Sequence, residues 1–434
     1  MKKTIGALLL AAVLSVSSFA QSGTNSPYSQ FGLGLLSDQT SGFNRGMNGL
    51  GYGFRENKQV NFLNPASYSA LDSLNFIFDA GLSGQITNFK ENGRKKNANN
   101  ADLEYVVSGF RLAKRVGLSF GLIPFTNVGY NYANTSVISI DQNQTQTTST
   151  NTYAGTGGFH QVYLGIGAEP IKHLSVGANI SYLWGKYDRS IINSYNDQSI
   201  NTISKYYTAS VVDYKLDLGL QYTARLSKKD QLTLGAVYGL GHKLNGDPSC
   251  NVLSTNPQTG VSDTVSYTIV KGLELPASMG AGLAWNHQNK LKIGVDYLLQ
   301  QWSKVEYPEY AMVNGRSQYS LSKELFKDRH KLTVGGEFCQ DEYGRSFFKR
   351  IRYRAGASYA TSYLKINGQD GPKEMSVSAG FGIPIVNAYN NRSLLNISAQ
   401  WVRQDSKTFI TENTFRINIG LTFSELWFDK WKVK

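Results

Sequence analysis

Reactive side chains are sparse and scattered in this chain. The five histidines are His160, His173, His242, His287 and His330, and the two cysteines are Cys250 and Cys339. None sits in an H-E-x-x-H or Cys/His spacing, so no metal centre is indicated. No G-x-S-x-G elbow and no phosphate-binding glycine loop is present, and no Asp-His pair stands out. The expectation is a protein that is not an enzyme and carries no metal or cofactor. The notable charged residues are of another kind. Asp217, Asp296, Arg352, Arg354 and Arg416 interrupt otherwise apolar alternating runs. Two arginines at spacing two, such as Arg352 and Arg354, can grip a carboxylate through their planar forks. Such charges need a wall that hides them from an apolar surround.

The runs that carry these charges alternate with period two, the signature of strands. Phe415, Ile417, Ile419, Leu421 and Phe423 alternate with Arg416, Asn418, Gly420 and Thr422. Tyr214, Leu216, Leu218, Leu220 and Tyr222 do so against Lys215, Asp217, Gly219 and Gln221. The runs reach ten residues or so, the length a tilted strand needs to cross a bilayer, where strands of soluble proteins usually stop at about five or six. About fourteen fit between 74 and 424, including strand three at 116–133, strand four at 157–169, strand five at 173–186, strand six at 206–225, strand eight at 271–285 and strand eleven at 347–363. Connections after even strands are short, as at Lys114-Arg115 and Pro170-Ile171-Lys172. Those after odd strands are mostly long and polar, as at Asn134 to Thr156 and Tyr187 to Lys205. Alternating short turns and long loops are the pattern of a transmembrane antiparallel β-barrel, an all-β fold. The phase turns Leu332, Val334 and Phe338 toward lipid, and Thr333, Glu337 and Cys339 inward with the five charges above. A charge on the lipid face at the midplane would cost about 2–4 kcal/mol.

Composition agrees with that fold. The chain has 43 Gly, 26 Tyr and 21 Phe against 10 Pro. A mean hydropathy of −0.31 suits a barrel, because only alternate residues meet lipid. Lys2 and Lys3, the apolar run Ile5 to Val16 and Ser18-Phe19-Ala20 read as a secretory signal over 1–20, with Gln21 the expected mature start. Losing Lys2 and Lys3 takes the formal charge from +13 to +11. The basic residues are dispersed, which argues against nucleic acid and for outer-membrane lipids as partners. Cys250 falls in an outer loop and Cys339 near the periplasmic end, too far apart for a disulfide.

Residues 21–73 do not alternate. They run through Gly46-Met47-Asn48-Gly49-Leu50-Gly51 to Asn64-Pro65-Ala66 just before the first strand. With the strand count, with Asp296-Tyr297 and Trp302 in strand nine, and with Gly420-Leu421-Thr422-Phe423 at the end, the mature chain resembles the FadL/TodX family of outer-membrane transport proteins for hydrophobic compounds. The resemblance implies an N-terminal hatch at 21–73 inside a barrel at 74–424, with Gly46, Gly49, Gly51, Asn64, Pro65 and Ala66 as its gate. The apolar Phe31, Leu33, Met47, Leu50, Phe54, Phe62 and Leu63 are unsuited to a free tail. In Gly121-Leu122-Ile123-Pro124-Phe125, Pro124 interrupts strand three and marks a bulge, kink or local edge. The resemblance makes Gly121 and Pro124 a kink for lateral exit; a bulge that only shapes the barrel fits equally.

The expected function is passive uptake of a hydrophobic or amphipathic molecule, long-chain fatty acid-like, through a lumen pocket. Phe31, Phe62 and Leu63 would contact it, and Arg352 or Arg354 would hold its carboxylate. The alternative is a non-transporting barrel that serves as a subunit or scaffold of a larger outer-membrane assembly with other envelope proteins. A transporter needs a continuous apolar path; a scaffold needs a lumen packed shut and apolar surface outside the lipid band. The tail 425–434, with Trp427, Phe428, Trp431 and Lys430, suits the periplasmic headgroup level or a docking role.

Overall fold

The computed structural model describes residues 23–91, 93–140, 146–313, 315–385, 393–406 and 409–426. The segment 1–20 expected to be a secretory signal, the turn expected at 386–392 and the tail beyond Leu426 lie outside the described residues. Fourteen antiparallel strands close a barrel. They are β1 Asn75–Glu91, β2 Arg94–Ala113, β3 Val116–Ile140, β4 Gln146–Ile171, β5 Leu174–Tyr195, β6 Thr202–Arg225 and β7 Asp230–Gly239. Then follow β8 Ser278–His287, β9 Leu291–Gln300, β10 Arg329–Phe338, β11 Arg352–Ala360, β12 Lys373–Ile385, β13 Ser393–Asp405 and β14 Thr411–Leu426. Each pairs with its sequence neighbours, and β14 returns to β1 from Asn75↔Leu426 to Lys90↔Thr411. Apart from one seam between β2 and β3, closure leaves no sheet edge toward hydrocarbon, where an unpaired peptide group costs several kcal/mol.

The alternation assigns faces as the period requires. Leu332, Val334 and Phe338 on β10 are exposed outward, whereas Thr333 and Glu337 are buried inside. On β14, Phe415, Ile417 and Ile419 face out while Asn418 and Thr422 are buried. Asp296, Arg352 and Arg354 are likewise buried within the lumen. Both cysteines are free and buried.

Four boundaries differ from the sequence expectation. The connections expected at Asn134 to Thr156 and Tyr187 to Lys205 are largely strand: β3 has 25 residues, β4 26 and β6 24. A bilayer needs only about 9–11. The ladder continues in water because Thr, Ser, Asn and Tyr pair across it, as in Thr135↔Thr150 and Asn151↔Asn193. A further hairpin, Ser249–Thr255 with Ser262–Thr268, extends this raised sheet beyond β6. Strand eight begins at Ser278, not 271, because Leu273–Leu275 pairs with His242–Leu244 above the wall. Strand eleven begins at Arg352, and Phe347–Arg350 before it forms one helical turn.

The wall also has a seam. β2 and β3 pair from Ala113↔Val116 up to Val106↔Leu122 and no further, although both strands continue. Pro124, which has no N–H to give, stands two residues above the last pair, and the β3–β4 register slips between Pro124 and Thr126. Inside the seam, Leu35 and Leu36 of the N-terminal segment pair with Asn127 and Thr126.

Candidate functional site: the filled lumen

The N-terminal segment from Thr24 to Leu71 occupies the lumen, and most of it is buried. Its floor is the short 3-10 helix Pro65–Ala70. Asn64 caps it by accepting from Ala66 N–H at 3.1 Å, and Pro65 takes the first helical position, where its missing donor costs nothing. The other end of the Asn64 amide donates to Tyr52 C=O at 2.9 Å and to Leu220 C=O of the wall at 3.2 Å. Asn64-Pro65-Ala66 is therefore a helix start that also binds β6.

The wall is thinned where the segment touches it. A Cβ placed on Gly177 would lie 2.4 Å from the Pro65 carbonyl carbon. One on Gly117 would lie 1.9 Å from Tyr68 O, one on Gly235 1.9 Å from Tyr52 O, and one on Gly356 2.4 Å from Met47 C. Only glycine permits backbone to approach backbone this closely. From inside the segment, Gly46 packs on Arg354, and Gly51 on Leu63 and Asn44. Gly49 adopts a φ of +89°, which favours glycine.

Polar seats then fix the register. Asp296 accepts from Gly51 N–H at 2.6 Å and Tyr52 N–H at 2.8 Å. Its partners are backbone donors, not the inward arginines. Gln221 donates to Tyr52 C=O at 2.9 Å, and Arg45 meets Glu104 at 2.8 Å. Asn48 donates to Ser358 and accepts from Ser376 and Gln400. Arg352 and Arg354 both grip Glu337, at 2.8 and 2.7 Å. Lys292 bridges Glu337 at 3.4 Å to Glu56 of the segment at 2.5 Å, and Arg354 also donates to Gln59 at 3.5 Å. Both arginines are thus engaged by a wall carboxylate, and neither lines the two cavities described below. At the periplasmic rim Lys58 pairs with Glu342.

The extracellular mouth is covered by an aromatic cap. Trp302 packs on Phe326 and Tyr363, with ring centroids 5.5 and 4.7 Å apart, and Tyr307 packs edge-on against Phe326 at 5.6 Å. Arg189 and Tyr307 both donate to Gly32 C=O, at 2.8 and 2.7 Å. Phe31 packs at the margin of this cap, away from Phe62 and Leu63. Two cavities lie between segment and wall. One of about 210 Å³ lies between Phe62, Leu63, Ile123 and Phe125 on one side and Lys215, Asp217, Arg329 and Lys331 on the other. A second of about 80 Å³ lies at the level of the seam, among Asp38, Asp102, Glu104, Glu412 and Arg416. Gly49 lines the first cavity, whereas Gly121, Pro124, Asn64, Pro65 and Ala66 do not.

Parity in the sequence located Glu337 and Asp296 inside, but their partners lie some 240 residues or more away in Asp296 and on a different strand for Glu337. Gln221, Lys292, Asn48 and Glu104 were not singled out. For Gln221, Lys292 and Glu104 the only sequence signal is an inward polar position on an alternating strand; Asn48 lies in the non-alternating N-terminal segment and carries no such signal.

Solved structures similar to this one include hydrocarbon channels and toluene transporters. The toluene transporter TbuX of Ralstonia pickettii is 14% identical with a TM-score of 0.61, over 89% of this chain and 98% of that one. The toluene transporter TodX of Pseudomonas putida is 15% identical with a TM-score of 0.58, over 92% and 100%. A FadL homologue from Pseudomonas aeruginosa is 11% identical with a TM-score of 0.59, over 90% and 99%. At such identity the likeness is one of fold. No curated protein sequence matches. A family model described as BamG matches residues 1–434.

Proposed function

The chain belongs to the BamG family, and from the filled lumen we propose that this outer-membrane barrel is a non-conducting component of a larger outer-membrane assembly. The observation that carries this reading is the double closure of the lumen. Glycine-to-backbone contacts and buried polar seats hold residues 24–71 against the wall, and the aromatic cap around Trp302 and Phe326 covers them from outside. The larger cavity, at about 210 Å³ and lined partly by charge, is smaller than the about 300–1,000 Å³ usual for small-molecule sites. The raised sheet formed by β3 to β6 supplies surface well beyond what crossing a bilayer needs. Binding partners is a use for that surface.

A second reading keeps the channel: uptake of a hydrophobic compound through the cavity beside Phe62 and Leu63, gated by residues 46–66, with release at the seam near Pro124. It is favoured by the fold shared with toluene transporters and by Phe125 and Ile123, which line that cavity next to the seam.

Two measurements on the protein gently extracted from its own membrane separate the readings. The assembly reading expects stoichiometric co-purification of other envelope proteins and no uptake of toluene or a fatty acid into proteoliposomes. Saturable uptake by the isolated barrel, with no protein partner retained, overturns it in favour of the channel.

A further inference from the structure

The periplasmic turns share a pattern that neither lumen nor cap explains. Leu112 precedes Lys114 and Arg115 between β2 and β3. Ile171 precedes Lys172, Leu226 precedes Lys228, and Phe348 precedes Lys349. In each case the apolar residue is highly exposed, and so is the lysine. Among the described residues none of these basic groups has a carboxylate in ion-pair reach. Of the acids in the same turns, Glu169 pairs with Arg55 and Glu342 with Lys58 and Arg352, while Asp230 bonds His287 and Asp341 accepts from Tyr343 N–H; the exposed lysines and arginines outnumber them. Positive charge thus collects at one level of the barrel, just beyond a ring of exposed apolar side chains.

The turn between β10 and β11 shows which way this collar faces. Tyr353 Oη donates to Phe348 C=O at 3.3 Å. Tyr353 lies on the outer face of β11 and packs edge-on against outward Phe381, at 5.7 Å. Phe381, Tyr353 and Phe348 therefore form one outward aromatic run that ends at Lys349. Aromatic residues at the membrane boundary, followed by lysine reaching past it, place cationic groups at headgroup depth.

We propose that this collar binds anionic phospholipids of the inner leaflet, with Leu112, Ile171, Leu226 and Phe348 among the acyl chains and the adjoining Lys and Arg on the phosphodiesters. The inference concerns the outside of the barrel and holds for either reading of the lumen.

The test embeds the mature protein in phosphatidylcholine nanodiscs containing a minority of phosphatidylglycerol, and counts retained lipids by native mass spectrometry. Enrichment of phosphatidylglycerol of severalfold is expected. It should fall toward parity in a variant combining K172Q, K228Q and K349Q, and stay unchanged in K95Q at the opposite end. Heat-modifiable gel mobility reports that the barrel has formed. Raising salt from 0.15 to 1 M, which shortens the Debye length from about 8 to 3 Å, must weaken the enrichment for the unaltered protein as well. That arm holds even if the triple variant does not fold. Equal retention of the two lipids overturns the proposal. So does enrichment indifferent to both variant and salt, or collar variants that release a protein partner but leave the lipid count unchanged.

Discussion

The carboxylate of Asp296, on wall strand β9, accepts the backbone N–H of Gly51 at 2.6 Å in the segment that fills the lumen. Its same oxygen accepts Tyr52 N–H at 2.8 Å. A wall side chain thus satisfies two donors of a segment that has no sheet of its own there. Replacing Asp296 with Ala leaves both donors buried without an acceptor, at about 1–3 kcal/mol each. D296A is expected to lower the thermal transition in detergent, and D296N, whose amide oxygen still accepts, to lower it less. Hydrogen exchange at residues 49–54 should accelerate in D296A while the wall strands remain protected. Unchanged exchange there means that Asp296 does not hold the segment.

The glycines opposite the segment make a sharper prediction. A methyl at Gly235 would fall 1.9 Å from Tyr52 O, and one at Gly177 2.4 Å from Pro65 C. The obstructing atoms are backbone, so no rotamer change relieves the clash. G177A combined with G235A should leave barrel formation intact, because both residues keep their strand pairing. The segment should then be displaced, and trypsin should cut at Arg45 or Arg55, sites that resist in the parent protein. A variant that stays resistant shows that the wall can move to accept the methyls.

Glu337 is the hub of a buried charge cluster with Arg352, Arg354 and Lys292. Removing one member of such a cluster costs about 3–5 kcal/mol, because the remaining charges stay buried and uncompensated. E337Q is expected to destabilise the barrel to about that extent in denaturant titration. R352K should cost less, since an ammonium retains the charge while losing the planar fork. Equal stability of E337Q and the parent would mean that water reaches the cluster and screens it.

At the periplasmic rim Lys58 and Glu342 link the segment to the turn between β10 and β11. Partial burial works to raise the Glu342 pKa, but Arg352 and Lys58 outweigh it and hold the carboxyl below the usual range. A carboxylate with a depressed folded pKa contributes stability that is present above its unfolded value, about 4.3. That contribution is lost as pH falls through the folded value. The difference in thermal transition between parent and E342Q should therefore be full at pH 7 and shrink as the solution is acidified below about pH 4. A difference that persists unchanged at pH 3 points to packing rather than charge.

The wall was legible in the sequence because its signal is local. Alternation in Phe415 to Phe423 fixes which face meets lipid, and a one-residue slip would reverse every side chain. Inward charges such as Arg354 and Glu337 follow from the same phase. Loop extent was not legible at Asn134 to Thr156, where Thr and Asn pair across strands in water and no longer alternate in polarity. The partners of the inward residues were not legible either. Asp296 finds Gly51 across 245 residues of sequence, and the contact uses peptide donors that every residue carries. Glycine spacing in the wall carried a trace of it: Gly117, Gly177, Gly235 and Gly356 all interrupt strands at inward positions, and their meaning depends on what lies opposite.

The seam allows the two functional readings to be separated by one covalent bond. Leu35 and Asn127 are register partners where β3 has lost its pairing with β2. Partners in an antiparallel ladder lie about 4.5–5.5 Å apart between Cα atoms, within the range a disulfide accepts. With Cys250 and Cys339 replaced by Ser, a variant carrying L35C and N127C should cross-link on oxidation and show altered gel mobility that dithiothreitol reverses. If the protein is a sealed assembly component, the cross-link leaves partner co-purification unchanged. If a hydrophobic compound leaves through the seam, the oxidised form loses uptake and reduction restores it. Failure to cross-link at all would show that Leu35 and Leu36 do not rest on β3, and the account of the seam would fall with it.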